Sequence, residues 1–234
     1  MPHNARMRII SWNCNMAYAR KRDEVVNLCP DLVILQECSE QDVLGSDAST
    51  VFWTGSNRHK GLGVLVYGAN EAHLDDSLTS DWPWFLPVVI DEPPVQLLAV
   101  WACVKERQLR YVRVMHAALD HYADFLGSGT SIAIGDFNSN AIWDSKYSER
   151  SHSRLVEKFA RLEMVSAYHA LTGDEQGMER APTQYMYRQQ AKPFHLDFAF
   201  VSCRLVRDAR LEIGDPGEWL GLSDHMPLIL DVRI

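Results

Sequence analysis

The chain has 234 residues, of which 47% are apolar and 23% are charged, and its formal net charge is −8. These proportions exclude an intrinsically disordered chain, a collagen and a coiled coil, and the length is typical of one α/β domain covering residues 1–234. The excess of acidic residues argues against tight, non-specific binding to duplex nucleic acid, although a divalent cation and a local basic rim can reverse the field at one site.

Nine short runs rich in Val, Ile, Leu and aromatic residues predict β-strands. In chain order they are Arg8 to Cys14, Leu32 to Gln36, Gly63 to Tyr67, Pro87 to Asp91, Val95 to Val104, Leu109 to His116, Ser131 to Gly135, Leu196 to Ser202 and Pro227 to Ile234. Apolar residues at helical spacing predict helices over Arg20 to Cys29, Asp120 to Leu126 and Ser153 to Glu163. So few helices do not fit a strictly alternating Rossmann or barrel pattern, so we expect two sheets packed face to face with helices outside them.

The five cysteines have irregular spacing and no Cys-x-x-Cys pair, which indicates buried free thiols rather than disulfides or a structural zinc site. The longest nearly apolar stretch, Val95 to Val104, is about half as long as a helix that spans a bilayer. No basic-then-apolar signal segment precedes the first predicted strand. We therefore expect a cytoplasmic protein without stable membrane association.

Polar side chains interrupt the apolar runs at the ends of predicted strands. They are Asn13, Asn15, Glu37, His116, Asp136, Asn138, Asp197, Asp224 and His225. Singly, an Asn or Asp at a strand end is commonly a turn former, and a lone His on an apolar strand is commonly a satisfied core residue. Together, acidic, amide and imidazole groups at strand ends indicate ligand chemistry, because open α/β sheets bind ligands there.

The direction of the predicted strands constrains the topology. Glu37 and Asp136 follow their strands, whereas Asp197 and Asp224 precede theirs. These side chains can meet at one edge only if the sheets are mixed or antiparallel. The functional hypothesis therefore predicts the direction of the strands.

Five segments carry a resemblance to a known family. They are Ser11-Trp12-Asn13-Cys14-Asn15, Leu35-Gln36-Glu37, Gly135-Asp136-Phe137-Asn138, His195-Leu196-Asp197-Phe198 and Ser223-Asp224-His225-Met226-Pro227. In this order they resemble the endonuclease/exonuclease/phosphatase superfamily, which includes deoxyribonuclease I, exonuclease III-type abasic-site endonucleases, neutral sphingomyelinases, inositol polyphosphate 5-phosphatases and deadenylases. The resemblance spans residues 11–227. It implies a four-layer α/β sandwich of two mixed sheets flanked by helices.

The resemblance also implies a cation site. Glu37 would bind a divalent cation through oxygen, and Asn15 and Asp224 would complete the shell, partly through water. An oxygen-only shell suits Mg²⁺ or Mn²⁺ better than zinc. Asn15 stands where several branches of the superfamily carry aspartate, so it would be a weaker, neutral ligand.

The remaining motif residues receive catalytic roles from the same resemblance. Asp136 would orient and deprotonate the attacking water, while Asn13 and Asn138 would hold phosphate oxygens and Asp136 in position. Asp197 would keep His225 protonated, and His225 would donate a hydrogen bond to a phosphoryl oxygen as charge develops there.

His116 occupies a position that varies within the superfamily. It lies in Val114-Met115-His116-Ala117-Ala118, where exonuclease III-type enzymes carry tyrosine and the deoxyribonuclease I, sphingomyelinase and phosphatase branches carry histidine. The region Asn57 to Gly61 offers bases but no carboxylate to pair with this histidine. His116 is therefore a candidate leaving-group acid or a candidate phosphate ligand.

Basic clusters give the first indication of the substrate. Arg20 to Arg22, Arg58 to Lys60 and Arg107 to Arg113 are each typical of a solvated surface, but the first two follow motif strands closely. If these two flank the site, they would form a phosphate-binding rim. Arg58 and Lys60 are accordingly candidate substrate ligands.

Aromatic residues give a second indication. Trp143 and Trp219 lie near motifs and are candidates to stack on a nucleobase, with core packing or loop anchoring as the alternative for each. The aromatic segment Asp81 to Pro87 has no basic neighbours, so we expect buried packing rather than insertion into a membrane.

The leading hypothesis is a magnesium- or manganese-dependent phosphodiesterase that hydrolyses nucleic acid or nucleotides by water attack without a covalent intermediate. A phosphomonoesterase, or a lipid or inositol phosphate hydrolase, is an alternative because the same machinery serves these substrates. A binding protein that kept the fold and lost activity is a third hypothesis, and the completeness of the motif residues argues against it.

Overall fold

The structure is a computed structural model, and it describes residues 6–78, 84–103 and 111–234. The strands within these residues are β1 (Arg6–Asn13), β2 (Leu32–Cys38), β3 (Thr50–Asn57), β4 (Lys60–Val66), β5 (Ala72–Leu74), β6 (Phe85–Ile90), β7 (Val95–Trp101), β8 (Ser131–Asp136), β9 (Met164–Ser166), β10 (Gln184–Tyr185), β11 (Pro193–Phe194), β12 (Asp197–Ser202), β13 (Arg210–Ile213) and β14 (Leu228–Arg233). The α-helices are α1 (Arg22–Val26), α2 (Glu40–Leu44), α3 (Tyr111–His121), α4 (Ala123–Gly127), α5 (His152–Arg161), α6 (Ala167–Thr172) and α7 (Pro216–Trp219).

Two six-stranded sheets and one short ribbon contain the described strands. The strand order is β13-β14-β1-β2-β4-β3 in the first sheet and β5-β6-β7-β8-β12-β9 in the second, and β10 pairs with β11. Each large sheet has one parallel pair, β1 with β2 and β7 with β8, among antiparallel pairs. The prediction of mixed sheets is therefore confirmed.

Alternate side chains of the central strands face different layers, as the pleat of a strand requires. In β7, Leu97 and Ala99 lie in the core between the two sheets, whereas Leu98 and Val100 pack with α3, α4 and α5 on the outer face. The outer face of the first sheet packs against α1, α2 and α7. The order helices, sheet, sheet, helices confirms the predicted four-layer α/β sandwich.

The predicted strand Leu109 to His116 is wrong. The described part of this segment belongs to α3, and residues 109 and 110 lie outside the described residues. Val114, Met115, Ala118 and Leu119 are buried against the second sheet, at a spacing that one face of a helix produces. Burial of this helical face outweighs the strand propensity of the β-branched residues in the segment.

The other predicted strands agree with the structure except at their ends, and the three predicted helices agree to different degrees. Eight of the nine predicted strands are present, and α5 confirms the helix predicted over Ser153 to Glu163. The helix predicted over Arg20 to Cys29 is shorter and covers α1 alone, and the segment Asp120 to Leu126 is divided between α3 and α4. The sequence did not indicate β3, β5, β9, β10, β11 or β13, because most of these strands are short and lie at edges.

Cys14 and Cys38 are buried, as predicted, but Cys29 and Cys203 are exposed, so the expectation of buried thiols is wrong for these two. In the aromatic segment, Phe85 and Leu86 are buried in β6, and residues 81–83 lie outside the described residues, as does Val104. Among the described residues, no helix combines the length and the apolar character needed to cross a bilayer.

Candidate active site

A cleft of about 490 Å³ opens at the edge of the sandwich where β1, β2, β7 and β8 end and β12 begins. Its lining residues are Asn13, Asn15, Glu37, Ser56, Asn57, Lys60, Trp84, Trp101, Ala102, Cys103, Tyr111, Asp136, Asn138, Gln184, Asp224 and His225. Seven of the predicted site residues line this one cleft together with the predicted ligand Lys60.

The mixed topology brings these residues together. β8 and β12 are antiparallel, and their register places Asp136 directly opposite Asp197. β1 and β2 are parallel, so Asn13 and Glu37 lie at the carboxyl ends of their strands, at the same edge of the first sheet. Residues at the carboxyl ends of β1, β2 and β8 therefore meet the residue at the amino end of β12 at one edge, as the predicted strand directions required.

Asp136 is the most buried carboxylate of the cleft, with 1% of its surface exposed. Its Oδ2 accepts hydrogen bonds from Asn13 Nδ2 at 3.1 Å and Asn138 Nδ2 at 2.9 Å, and its Oδ1 accepts one from the Asn138 backbone N–H at 3.0 Å. Burial raises the pKa of Asp136 to about 7, against the opposing effect of the His225 charge. This carboxylate is fixed in orientation and suited to accept a proton near neutral pH.

Asp197 and His225 form a buried pair beside Asp136. His225 Nδ1 lies 2.9 Å from Asp197 Oδ2, and the two residues are 5% and 2% exposed. Burial lowers the pKa of His225, but the charges of Asp197 and Asp136 outweigh burial and raise it to about 10. The imidazole is therefore held as an imidazolium whose Nε2–H is available to a substrate oxygen.

Backbone contacts hold this pair in place. The backbone N–H groups of Leu196 and Asp197 donate to Thr183 Oγ1 at 2.9 and 3.0 Å. Trp12 Nε1 donates to the carbonyl of His225 at 2.9 Å, which ties the His225 loop to β1. The two sheets thus hold the catalytic candidates at a fixed separation.

A second cluster of oxygen atoms lies in the same cleft. Asn15 Nδ2 donates to Asp224 Oδ1 at 3.0 Å, and Gln184 Nε2 donates to Asp224 Oδ2 at 3.3 Å. Lys60 Nζ forms an ion pair with Glu37 Oε2 at 2.9 Å. Glu37, Asn15 and Asp224 are therefore neighbours of one cleft, as the resemblance implied.

Two groups could hold a metal ion. The ligand atoms of Asp136, Asp197 and His225 lie within 4.8 Å of one another. However, a metal ligand must be deprotonated, and His225 is held protonated with its Nδ1 bonded to Asp197. Glu37 and Asp224 are the other carboxylates that line the cleft and are the alternative candidates for cation ligands.

Three of the predicted site residues are among the non-glycine residues with a strained backbone. Asn15, Glu37 and Asn138 have φ values of 48°, 60° and 48°, in the left-handed region that non-glycine residues rarely adopt. Each such residue costs about 1–3 kcal/mol and persists where the surrounding structure holds it in place. Strain of this kind is typical of functional sites.

Gly135 lets β8 pass close to β7 just before Asp136. Its φ is 150°, and a Cβ atom there would lie 1.9 Å from the carbonyl oxygen of Val100. We expect Gly135→Ala to lower the free energy of unfolding by about 3 kcal/mol or more, because the backbone must move. Gly68→Ala is the control, since Gly68 has φ 74° with open space around it and should lose only about 1–2 kcal/mol. Equal losses in denaturant unfolding of the two variants would contradict this account.

His116 does not lie in the cleft, which corrects its predicted role. It is buried in α3, and its Nε2 is 2.9 Å from the carbonyl oxygen of Ser151. Burial lowers its pKa. The strand that ends beside Asp136 is β7, and Trp101 pairs with Asp136 in the parallel register.

Three of the four predicted substrate ligands also lie elsewhere. Trp219 is buried in the core, edge-on to Trp12 at 5.1 Å between ring centroids. Trp143 packs on Phe194 at 5.6 Å beside a smaller pocket. Both aromatic side chains satisfy the core-packing or loop-anchoring alternative.

The basic candidates behave differently from each other. Arg58 is exposed and forms an ion pair with Glu40 at 3.2 Å, outside the cleft lining. Lys60 lines the cleft, with its Nζ 5.8 Å from the centroid of the Trp101 ring. The Arg107 to Arg113 cluster lies largely outside the described residues.

Several lining residues were not indicated by the sequence. These residues include the aromatic Trp101 and Tyr111, and Gln184 from a two-residue strand. The register of β7 beside β8 would have located Trp101. Gln184 carries no signal, because its strand is too short to show a hydrophobic period.

Comparison with known proteins supports the fold. No protein-family model matches the chain, and no curated protein matches it. The endonuclease domain of TRAS1, a telomere-specific non-LTR retrotransposon, is 16% identical, covers 98% of this chain and 99% of its own, and has a TM-score of 0.72. The 3′ phosphatase NExo from Neisseria, bound to a product DNA hairpin, is 16% identical over 97% and 100% with a TM-score of 0.72.

A third solved structure agrees with these two. The AP endonuclease LMAP from Leishmania major is 15% identical, covers 98% of this chain and 88% of its own, and has a TM-score of 0.74. All three likenesses extend over nearly the whole of this chain, with its two mixed six-stranded sheets and outer helices. The chain therefore shares the four-layer α/β sandwich fold of these three structures, the fold that the resemblance of its five segments implied.

Proposed function

We propose that this chain is a divalent-metal-dependent phosphodiesterase that hydrolyses nucleic acid by direct attack of water. The observation that carries the proposal is the geometry around Asp136. This carboxylate is buried, held by Asn13 and Asn138, and placed across a strand pair from the Asp197–His225 pair. A base and a cationic donor thus face one cleft, which is the arrangement that phosphate hydrolysis needs.

The residues present fit a hard divalent cation. Glu37, Asp224 and Asn15 supply carboxylate and amide oxygens, the donors that Mg²⁺ and Mn²⁺ prefer. Gln184 Oε1 is buried and, among the described residues, lacks a hydrogen-bond partner. When bound, such a cation offsets the phosphate charge and stabilises the leaving oxygen. Glu37 and Asp224 would hold it.

The protein side chains divide the remaining work. Asp136 accepts a proton from the attacking water while the water oxygen bonds to phosphorus and the bond to the leaving oxygen breaks. Asn13 and Asn138 fix the Asp136 carboxylate and limit its rotation. His225, kept charged by Asp197, donates a hydrogen bond to a phosphoryl oxygen as negative charge grows.

Nucleic acid is the substrate class that the surroundings favour. Lys60 supplies a positive charge beside the oxygen cluster, and Trp101 and Tyr111 provide aromatic surface in the same cleft. Each of the three structures with this fold is named as a nuclease or as a phosphatase bound to a DNA product. A chain of net charge −8 needs such local features to bind a polyanion.

A phosphomonoesterase is the second candidate function. One structure of NExo is named as a 3′ phosphatase and another as a 3′-5′ exonuclease, so one protein of this fold carries both names. A panel of single-stranded, duplex and abasic DNA, RNA, 3′-phosphorylated DNA, inositol phosphates and sphingomyelin distinguishes the candidates. If none of these substrates is hydrolysed in the presence of magnesium or manganese, the result supports an inactive binding protein.

Removal of divalent metal should abolish turnover. We expect EDTA to reduce phosphodiester hydrolysis to background and Mg²⁺ or Mn²⁺ to restore it, because the leaving oxygen loses its counter-charge without the cation. Glu37→Gln should need at least about tenfold more metal for half-maximal activity, and Glu40→Gln, outside the cleft, should need the wild-type concentration. Activity that is indifferent to EDTA contradicts the metal requirement.

A further inference from the structure

The turn that follows β1 has an unusual backbone. Asn15, Met16 and Ala17 have consecutive φ values of 48°, 66° and 52°, so three non-glycine residues in a row are left-handed. Each costs about 1–3 kcal/mol, and none of them is an isolated turn position. Some contact outside the turn must therefore stabilise it.

The side chain of Lys21 supplies that contact. Its Nζ donates to the carbonyl oxygens of Cys14 at 2.6 Å, Met16 at 3.0 Å and Asn15 at 3.4 Å. The three N–H groups of the ammonium are thus matched by three consecutive carbonyls. The Nζ also lies 5.7 Å from the centroid of the Trp12 ring, and burial lowers the pKa of Lys21.

This turn is joined to both acidic members of the oxygen cluster. The Asn15 side chain donates to Asp224 at 3.0 Å, and the Met16 backbone N–H donates to the carbonyl of Glu37 at 3.2 Å. Glu37 itself has a left-handed backbone. A shift of the turn would consequently move Asn15 and release the backbone of Glu37.

We propose that Lys21 is a positioning residue that locks the left-handed turn so that Asn15 and Glu37 face the same cation. The proposal rests on the metal requirement of the proposed function. Lys21 directs its charge at carbonyls, so it does not neutralise a ligand carboxylate as Lys60 does at Glu37. It therefore belongs to the inner structure of the site, not to the solvated basic cluster that Arg20 to Arg22 suggested.

Lys21→Met tests the proposal, with Arg20→Met as the control. Arg20 is exposed and lies one residue away, so its replacement makes the same change of charge. Binding of Mn²⁺ alone to the full chain is measured by electron paramagnetic resonance. We expect Lys21→Met to bind Mn²⁺ at least about tenfold more weakly than the wild type, and Arg20→Met to bind it with the wild-type affinity. Lys21→Gln, which keeps two donors, replaces Lys21→Met if that variant does not fold.

Hydrogen exchange of the Met16 amide gives a second measurement without metal. We expect it to exchange at least about tenfold faster in Lys21→Met, because its bond to Glu37 opens more often. Faster exchange or lower thermal stability with unchanged Mn²⁺ affinity would overturn the proposal and leave Lys21 a structural residue. If the wild-type chain binds no Mn²⁺, the proposed function fails, and the Lys21 proposal fails with it. Equal Mn²⁺ binding by wild type and Lys21→Met overturns the Lys21 proposal alone.

Discussion

Asp136→Asn should lower kcat for phosphodiester hydrolysis by roughly 10²- to 10⁴-fold, the usual contribution of a positioned general base. The amide keeps the size of the carboxylate but cannot accept a proton from water. Burial raises the pKa of Asp136, so the carboxylate it replaces is a stronger base than an exposed aspartate. The measurement is the steady-state rate with saturating magnesium on the best substrate of the panel.

A matched variant separates chemistry from folding. Asp120 is an exposed aspartate on α3 that forms an ion pair with Lys158 away from the cleft, so Asp120→Asn should retain the wild-type kcat. Both variants should show a cooperative thermal transition, since each substitution is isosteric. If the Asp136→Asn protein is folded and its kcat is within tenfold of the wild-type kcat, a group other than Asp136 is the general base.

Loss of the imidazolium is the second large effect. His225→Ala should lower kcat by roughly 10²- to 10³-fold, the range for removal of one donor to a developing charge. Asp197→Asn keeps the imidazole but removes the carboxylate that raises its pKa. The active form is the protonated one, so activity falls as pH rises through this pKa. In Asp197→Asn the alkaline fall should therefore move to lower pH.

The contribution of His225 to folding stability changes with pH in the same direction as its contribution to activity. Its folded pKa is raised above the unfolded value, so its stabilisation is present below the unfolded pKa and is lost as pH rises through the folded one.

The alkaline fall of activity in Asp197→Asn is measured in profiles of kcat between pH 6 and pH 10. The control is His121→Gln, because His121 is an exposed histidine at the end of α3. If the kcat of Asp197→Asn falls at the same alkaline pH as the kcat of the wild type, Asp197 does not control the protonation of His225.

The sequence predicted the parts of the site that local chemistry marks. Asp136 and Asn138 were identified because polar groups that follow a buried strand contradict the apolar pattern around them. The same reasoning singled out Asp197 and His225, and the family resemblance implied that they pair. The requirement that these residues meet predicted mixed or antiparallel sheets. The antiparallel register of Asp136 with Asp197 confirms that requirement.

The wrong predictions for the site concern the conformation of the segment around His116 and the direction in which the Trp219 side chain points. His116 looked like the end of a strand because Val112 and Val114 favour strands, yet burial of one helical face decided its conformation. Trp219 was separated from the cleft by the orientation of α7, which turns its ring onto Trp12. Neither direction follows from neighbours in the sequence.

The sequence by itself determined the α/β sandwich and most of the polar residues of the cleft, because buried strands need apolar runs and a reactive site needs polar groups where those runs end. Only the tertiary structure decided that Lys21 points inward to three carbonyls, that Gln184 reaches Asp224 and that Lys60 pairs with Glu37. These contacts join elements distant along the chain or depend on a left-handed turn. They are set by sheet register and packing, which local residue patterns do not encode.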